Sequence, residues 1–175
     1  MIALFLLSAC LEVEGVDLVV DLREGQATAT YQNFRGAGQE DLDSLLTNIE
    51  DGSYLAIFPH ASPIEQTLLE DGDTLDLLVR VGFTSTTDLG LGAWDTRRPH
   101  RYCPPPDMLI TESNARYRDA EGCVIWSRGA KVLRVNMRFV RQSTEDQLLP
   151  LWQQAQAAGG AAPDTSPEPE APPSP

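Results

Sequence analysis

Only two histidines, His60 and His100, occur in the chain. That scarcity leaves few ways to build a Ser–His–Asp triad, and no G-x-S-x-G turn is present to carry the serine. A phosphate-binding G-x-x-x-x-G-K-[ST] loop is missing too. Gly90-Leu-Gly92 lacks the βαβ setting and acidic partner of a dinucleotide-binding turn. Basic residues are scarce: 13 against 26 Asp and Glu, a formal net charge of −13, which argues against nucleic acid as a partner. No stretch after Leu11 is apolar enough to span a membrane. Asp71-Gly72-Asp73 lacks the ligand spacing of a calcium loop and reads as a turn. No cofactor is expected.

The charge is unevenly spread. Residues 1–90 carry 3 Arg and 16 acids, residues 91–142 carry 10 basic residues and 5 acids, and residues 143–175 carry 5 acids alone. An acidic first half and a basic middle are expected to be neighbours, with opposite charges pairing across adjacent strands. The alternative is a basic surface for an anionic partner.

Periodicity predicts the elements. Val16, Leu18, Val20 and Leu22 alternate as one face of a strand. Apolar Leu11 and Val13 sit on the other parity, so a bulge is expected at Gly15. Ala27–Phe34 completes a hairpin. Leu42, Leu45, Leu46 and Ile49 make one face of a helix over Gln39–Asp51, with Glu40, Asp41 and Asp43 near its start and Gly52 ending it. Ser53–Phe58 reads as a short strand, Pro63–Glu70 as a helical turn or irregular edge, and Thr74–Thr84 as a central strand. Pattern is lost from Ser85 to about Ile110, a long loop. Gly122–Trp126 and Lys131–Arg141 are strands around a turn at Ser127–Ala130. Ser143, followed three residues later by the carboxylate of Asp146, opens a helix that Pro150 kinks or resets. The expected fold is α+β, a single domain with a mainly antiparallel sheet and two helices packed on one face. Its expected limits are residues 10–158, between a segment 1–9 and a Pro/Ala-rich tail, 159–175, too poor in apolar residues to order itself.

The run Leu7-Ser8-Ala9-Cys10 resembles the lipobox of bacterial lipoproteins. A short apolar run, Ile2–Leu7, precedes it without Lys or Arg. Because a secretory signal usually has ~15–30 residues and a basic start, the true start is expected upstream. The competing reading makes Met1–Leu11 an ordinary buried strand of a cytoplasmic protein. The resemblance implies cleavage before Cys10 and lipidation of its thiol. Leu11, where an Asp would retain the protein in the inner membrane, implies the outer membrane facing the periplasm. The body, including Tyr102-Cys103 and Gly122-Cys-Val-Ile-Trp126, is loosely similar to envelope lipoproteins of high-GC Gram-negative bacteria, which brings no activity with it. If Cys10 carries lipid, Cys103 and Cys123 are free to pair in an oxidising compartment. Free thiols remain open, as does half a zinc site at His100-x-x-Cys103, although its second half is missing; no metal is expected.

One cluster stands out, Trp94-Asp-Thr-Arg97-Arg98-Pro-His100-Arg101-Tyr102. Arginine forks suit carboxylates and phosphates. Arg97, Arg98, His100 and Arg101 are therefore a candidate anion site for an envelope glycan, a lipid headgroup or a protein partner. Alternatively, the arginines pair with the acidic first half while the aromatics pin the loop. The expectation is a lipid-anchored envelope protein with a structural or binding role, membrane-bound through Cys10. The alternative is a periplasmic hydrolase using carboxylates or His60. No catalytic residue is assigned.

Overall fold

The computed structural model describes residues 11–90, 92–95, 99–141 and 143–159. The expected signal segment 1–9, Cys10, Arg97, Arg98 and the tail beyond residue 159 lie outside the described residues.

Strands β1 (Glu12–Asp21) and β2 (Gln26–Gly36) form the first hairpin. Val16, Leu18 and Val20 are opposite Tyr31, Ala29 and Ala27, and all six are buried. After α1 (Gln39–Glu50) come β3 (Ser62–Asp71) and β4 (Thr74–Gly82), a second hairpin. Gly72 begins its two-residue turn at φ +63, a backbone setting that favours glycine. The chain continues through β5 (Ala93–Asp95), β6 (Arg101–Cys103), β7 (Met108–Ser113), β8 (Tyr117–Arg118), β9 (Val124–Ile125), β10 (Val132–Phe139) and β11 (Asp146–Gln147) to α2 (Leu149–Gly159).

Seven strands make one antiparallel sheet in the order β3-β4-β2-β1-β10-β7, with β11 paired to the end of β2. A second antiparallel sheet has the order β5-β6-β9-β8. The inner face of the large sheet is apolar because alternate residues of each long strand are: Leu75, Leu77, Val79 and Val81 on β4, and Leu133, Val135 and Met137 on β10. Leu42 and Leu45 of α1, Tyr54, Phe58, and Leu148 and Leu149 around the start of α2 share that core. Tyr102 and Trp126 join it from around the small sheet. The protein is thus an α+β domain, mainly antiparallel sheet, whose two helices both pack into the core of the inner face.

Four local expectations need correcting. The change of buried face in β1 occurs between Gly15 and Val16, yet the register with β2 keeps the same offset on both sides of it, Val13 to Phe34, Gly15 to Gln32, Val16 to Tyr31. No extra residue is inserted. The change on β2 falls at Asn33, which has φ +55 and donates its N–H to Asp76 Oδ1 at 2.9 Å. Asn is among the few residues that take this left-handed setting readily. Gly15 has a different reason to be glycine: a Cβ there would run into the Met137 carbonyl of β10.

Ser53–Phe58 is a turn and a 3-10 segment at Leu55–Ile57, not a strand. Gly52 at φ +77 accepts from the amides of Leu55 and Ala56, which turns the chain back. Its apolar residues are plugs: Tyr54 and Phe58 are buried, and the Tyr54 ring lies 5.5 Å from Tyr31 and 5.8 Å from Phe34. The segment before α2 is likewise not helical. Ser143 Oγ accepts from the Glu145 amide, Leu148 donates to the Phe34 carbonyl, and the helix starts at Leu149. Pro150, which lacks a donor, fits the first turn of a helix. Finally, β4 is next to the edge rather than central, flanked by β3, which proves to be the irregular edge with a register shift between Pro63 and Glu65.

Candidate functional site

The supposed long loop, Ser85 to about Ile110, runs into β7 of the large sheet at its end and, through β5 and β6, supplies half of the small sheet. The strands of the small sheet are two or three residues long, too short to carry a period. Cys103 and Cys123 are joined by a disulfide, S–S 2.04 Å, with Cα atoms 4.3 Å apart. Next to the bridge, Tyr102 pairs with Val124 and Arg101 with Ile125. The aromatics pin this sheet to the large one. Trp94 lies 4.6 Å from the Tyr102 ring and stacks on Trp126 at 6.1 Å. The buried Tyr102 hydroxyl donates to Met137 Sδ at 3.0 Å, and burial pushes its phenol well above the ordinary range.

Of the candidate anion site, Arg97 and Arg98 lie outside the described residues. His100 is half-buried, and its carbonyl accepts from the Trp126 amide. Arg101 is committed. Its Nε donates to Asp119 Oδ2 at 2.9 Å, and its Nη2 reaches both Asp119 and Glu121. Burial alone would raise the Asp119 carboxyl, but Arg101 and the amides of Cys123 and Glu121 outweigh it and hold the group below its ordinary value. Arg101 therefore ties the small sheet together, with partners from its own half of the chain rather than from the acidic first half. Asp119, Glu121 and Cys123 converge within 4.8 Å. While bridged, however, Cys123 offers no thiolate, and both carboxylates are bound to Arg101.

The expected pairing between the acidic half and the basic middle is correspondingly thin. Among the described residues, Arg35 pairs with Glu14 at 2.8 Å and Arg80 with Glu65 at 3.1 Å, both within the first half. Among those same described residues, only Arg134 and Asp17, at 3.9 Å, cross between the two regions. His60 is exposed before β3, near the Asp88 carboxylate.

Asp17 leads to a feature that periodicity alone does not reveal. It points from β1 to the outer face of the large sheet, opposite Asn136 of β10, which is opposite Glu112 of β7. These three residues, with Ser113, Asn114 and Arg134, line an open cleft of about 310 Å³. Burial holds the Asp17 carboxyl above its ordinary value; Arg134 opposes this and Glu112 reinforces it. Among the described residues no hydrogen bond reaches that carboxylate, and Arg134 Nε stands 3.9 Å away. The wall beside it is tied down by hydrogen bonds. Asn114 Oδ1 accepts from Trp126 Nε1 at 2.7 Å and from the Arg134 amide at 2.8 Å, while its Nδ2 donates to the Val132 carbonyl at 3.0 Å. Asn136 Oδ1 accepts from Thr111 at 2.9 Å. One sequence signal could have found the site: Asp17 interrupts the apolar run of residues 16–20 on an interior strand.

Comparison of the chain with protein-family models, with curated proteins and with solved structures finds no match.

Proposed function

We propose that the protein is a lipid-anchored module of the cell envelope, attached through acylated Cys10, facing the periplasm from the outer membrane and serving a binding or structural role. The observation that carries this reading is the Cys103–Cys123 disulfide. Bridges of this kind persist in oxidising compartments, and this one leaves Cys10 as the third cysteine, at the end of the lipobox-like run. Two or more acyl chains anchor stably where one is marginal. Among the described residues no helix is long and apolar enough to cross a bilayer, and lipid on Cys10 removes the need for one. Leu11 is only 3% exposed. The residue after the anchor thus already belongs to the core, so the domain lies close against the headgroups without a long spacer.

The test is substitution at the anchor. Expressed from its own gene, the parent chain partitions with membranes and the Cys10→Ser variant does not. Membrane association unchanged in Cys10→Ser overturns the reading. A hydrolase remains the second reading, on one observation: Asp17 and Glu112 share a cleft. They are two strands apart, about 10 Å between Cα atoms by strand spacing. Turnover of glycoside or ester substrates, lost in both Asp17→Asn and Glu112→Gln, would favour it.

A further inference from the structure

We infer that the end of the large sheet at which β1 begins lies against the membrane that holds the anchor, with Leu109 and Val140 set among the lipid headgroups. This orientation rests on the anchor proposed above. Leu109 and Val140, at 60% and 58% exposure, are the two most exposed large apolar side chains among the described residues. The fold makes them neighbours. Leu109 of β7 is opposite Arg138 of β10. Val140 comes two residues after Arg138 and donates its amide to the Asp107 carbonyl. Strand alternation therefore sets Leu109, Arg138 and Val140 on the outer face, which neither helix covers. The Arg138 stem lies beside Gly15 of β1, where a Cβ would stand 3.4 Å from Arg138 Cγ. Single exposed apolar residues are ordinary on a surface; the position of this pair is what selects an occupant.

β1 and β10 are antiparallel, with Gly15 opposite Arg138 and Asp21 opposite Val132. β10 therefore ends where β1 begins. The same offset, continued, puts Val140 opposite Val13, three residues from Cys10, or about 10 Å along a strand. Leu11 is 3% exposed and β1 starts at Glu12, so no free spacer lets the domain turn away from an acylated Cys10. A bilayer that receives those acyl chains meets this end of the sheet first. The charges there are compatible with headgroups. Glu14 is neutralised by Arg35 at 2.8 Å. Arg138 and Arg141 are exposed, without an ion pair among the described residues, and offset the exposed Glu12 and Asp107. An arginine stem can lie along apolar surface while its guanidinium reaches a phosphate.

The Cys103–Cys123 bridge leaves Cys10 as the one thiol of the chain. The full, unacylated chain can therefore be coupled through Cys10 to a maleimide-bearing lipid in vesicles of phosphatidylethanolamine and phosphatidylglycerol, prepared with and without bromine on the acyl chains near the headgroups. This tether is present whether or not the cell acylates Cys10, so the orientation and the native anchor can fail separately. Leu109→Trp and Val140→Trp report on the patch. Ile64→Trp is the control: Ile64 is exposed on β3, near the Ser62–Gly82 pair at the other end of the sheet. All three replace exposed side chains, and either patch reporter suffices if the other folds poorly. After subtraction of the parent's emission, bromine should quench the new tryptophan at 109 and at 140 at least twofold and leave that at 64 nearly unchanged. Equal quenching at all three positions, or none at 109 and 140, overturns the inference. So does emission at 109 that shifts to the blue with protein concentration in the absence of vesicles, which would assign the patch to a second copy of the chain.

Discussion

Removing the Cys103–Cys123 bridge should destabilise the whole domain, because the small sheet helps to cover the core of the large one. The two cysteines are separated by 20 residues. Closing a loop of that length removes chain entropy from the unfolded state worth about 3 kcal/mol at 25 °C. In a domain of about 150 residues, each kcal/mol moves the melting temperature by roughly 2–4 °C, so the expected drop is about 6–12 °C. The loss should begin locally. Among the described residues, Tyr102–Val124 and Arg101–Ile125 are the only pairs joining β6 to β9. Once the bridge is open, those two pairs, the Arg101 contacts with Asp119 and Glu121, and the Trp94–Tyr102–Trp126 packing must hold the sheet. Amides bonded within this region, Arg116 to the Ile125 carbonyl and Trp126 to the His100 carbonyl, should lose exchange protection before those of β1 and β10. The assay is thermal unfolding followed by circular dichroism, with and without dithiothreitol, alongside the Cys103→Ser/Cys123→Ser variant, with free thiols counted. A fully reduced protein melting within 2 °C of the oxidised one would refute the reasoning.

Three further outcomes follow from particular side chains. Asn33→Ala should cost about 1–2 kcal/mol, because its φ of +55 suits neither alanine nor most other residues, while Asn33→Gly should be close to neutral in urea unfolding. The Tyr31 and Tyr54 hydroxyls are buried without a partner among the described residues, so Tyr31→Phe and Tyr54→Phe should melt at or above the parent temperature, since an apolar ring of the same shape leaves no polar group unsatisfied. Arg101→Gln should lower stability near neutral pH. Because Asp119 is held below its ordinary value of 3.8, the stability it contributes is present above that value and is lost as pH falls through its lowered one; the difference between parent and variant should therefore shrink in acid. A gap that stays constant with pH would mean that Arg101 acts by packing alone.

Elements of nine residues or more with a strict period were readable from the chain. β1, β2, β4 and α1 emerge from alternation or from i, i+3, i+4, i+7 spacing, and the eight residues of β10 behave likewise. The misreadings share a cause: they occur where few residues must decide. Tyr54-Leu-Ala-Ile-Phe58 is apolar enough for a strand, but a strand needs a neighbour, and Gly52 turns this segment away from the sheet. The small sheet consists of two- and three-residue strands whose order is set by the bridge and by three aromatic rings, all contacts between distant residues. Arg101 shows the same limit in the charged residues. Its type and its neighbours suggested an anion site, but only the fold brings Asp119 and Glu121 to it. The outer-face cleft draws on β1, β7 and β10, far apart in the chain, and Asp17 alone hinted at it.

The intact mass of the protein purified from its own cells tests the proposed lipid anchor on Cys10. The predicted result is a chain beginning at Cys10, heavier than its unmodified sequence by two or three acyl chains, and lighter by the bridge hydrogens of Cys103 and Cys123. An unmodified chain that retains Met1 would contradict it.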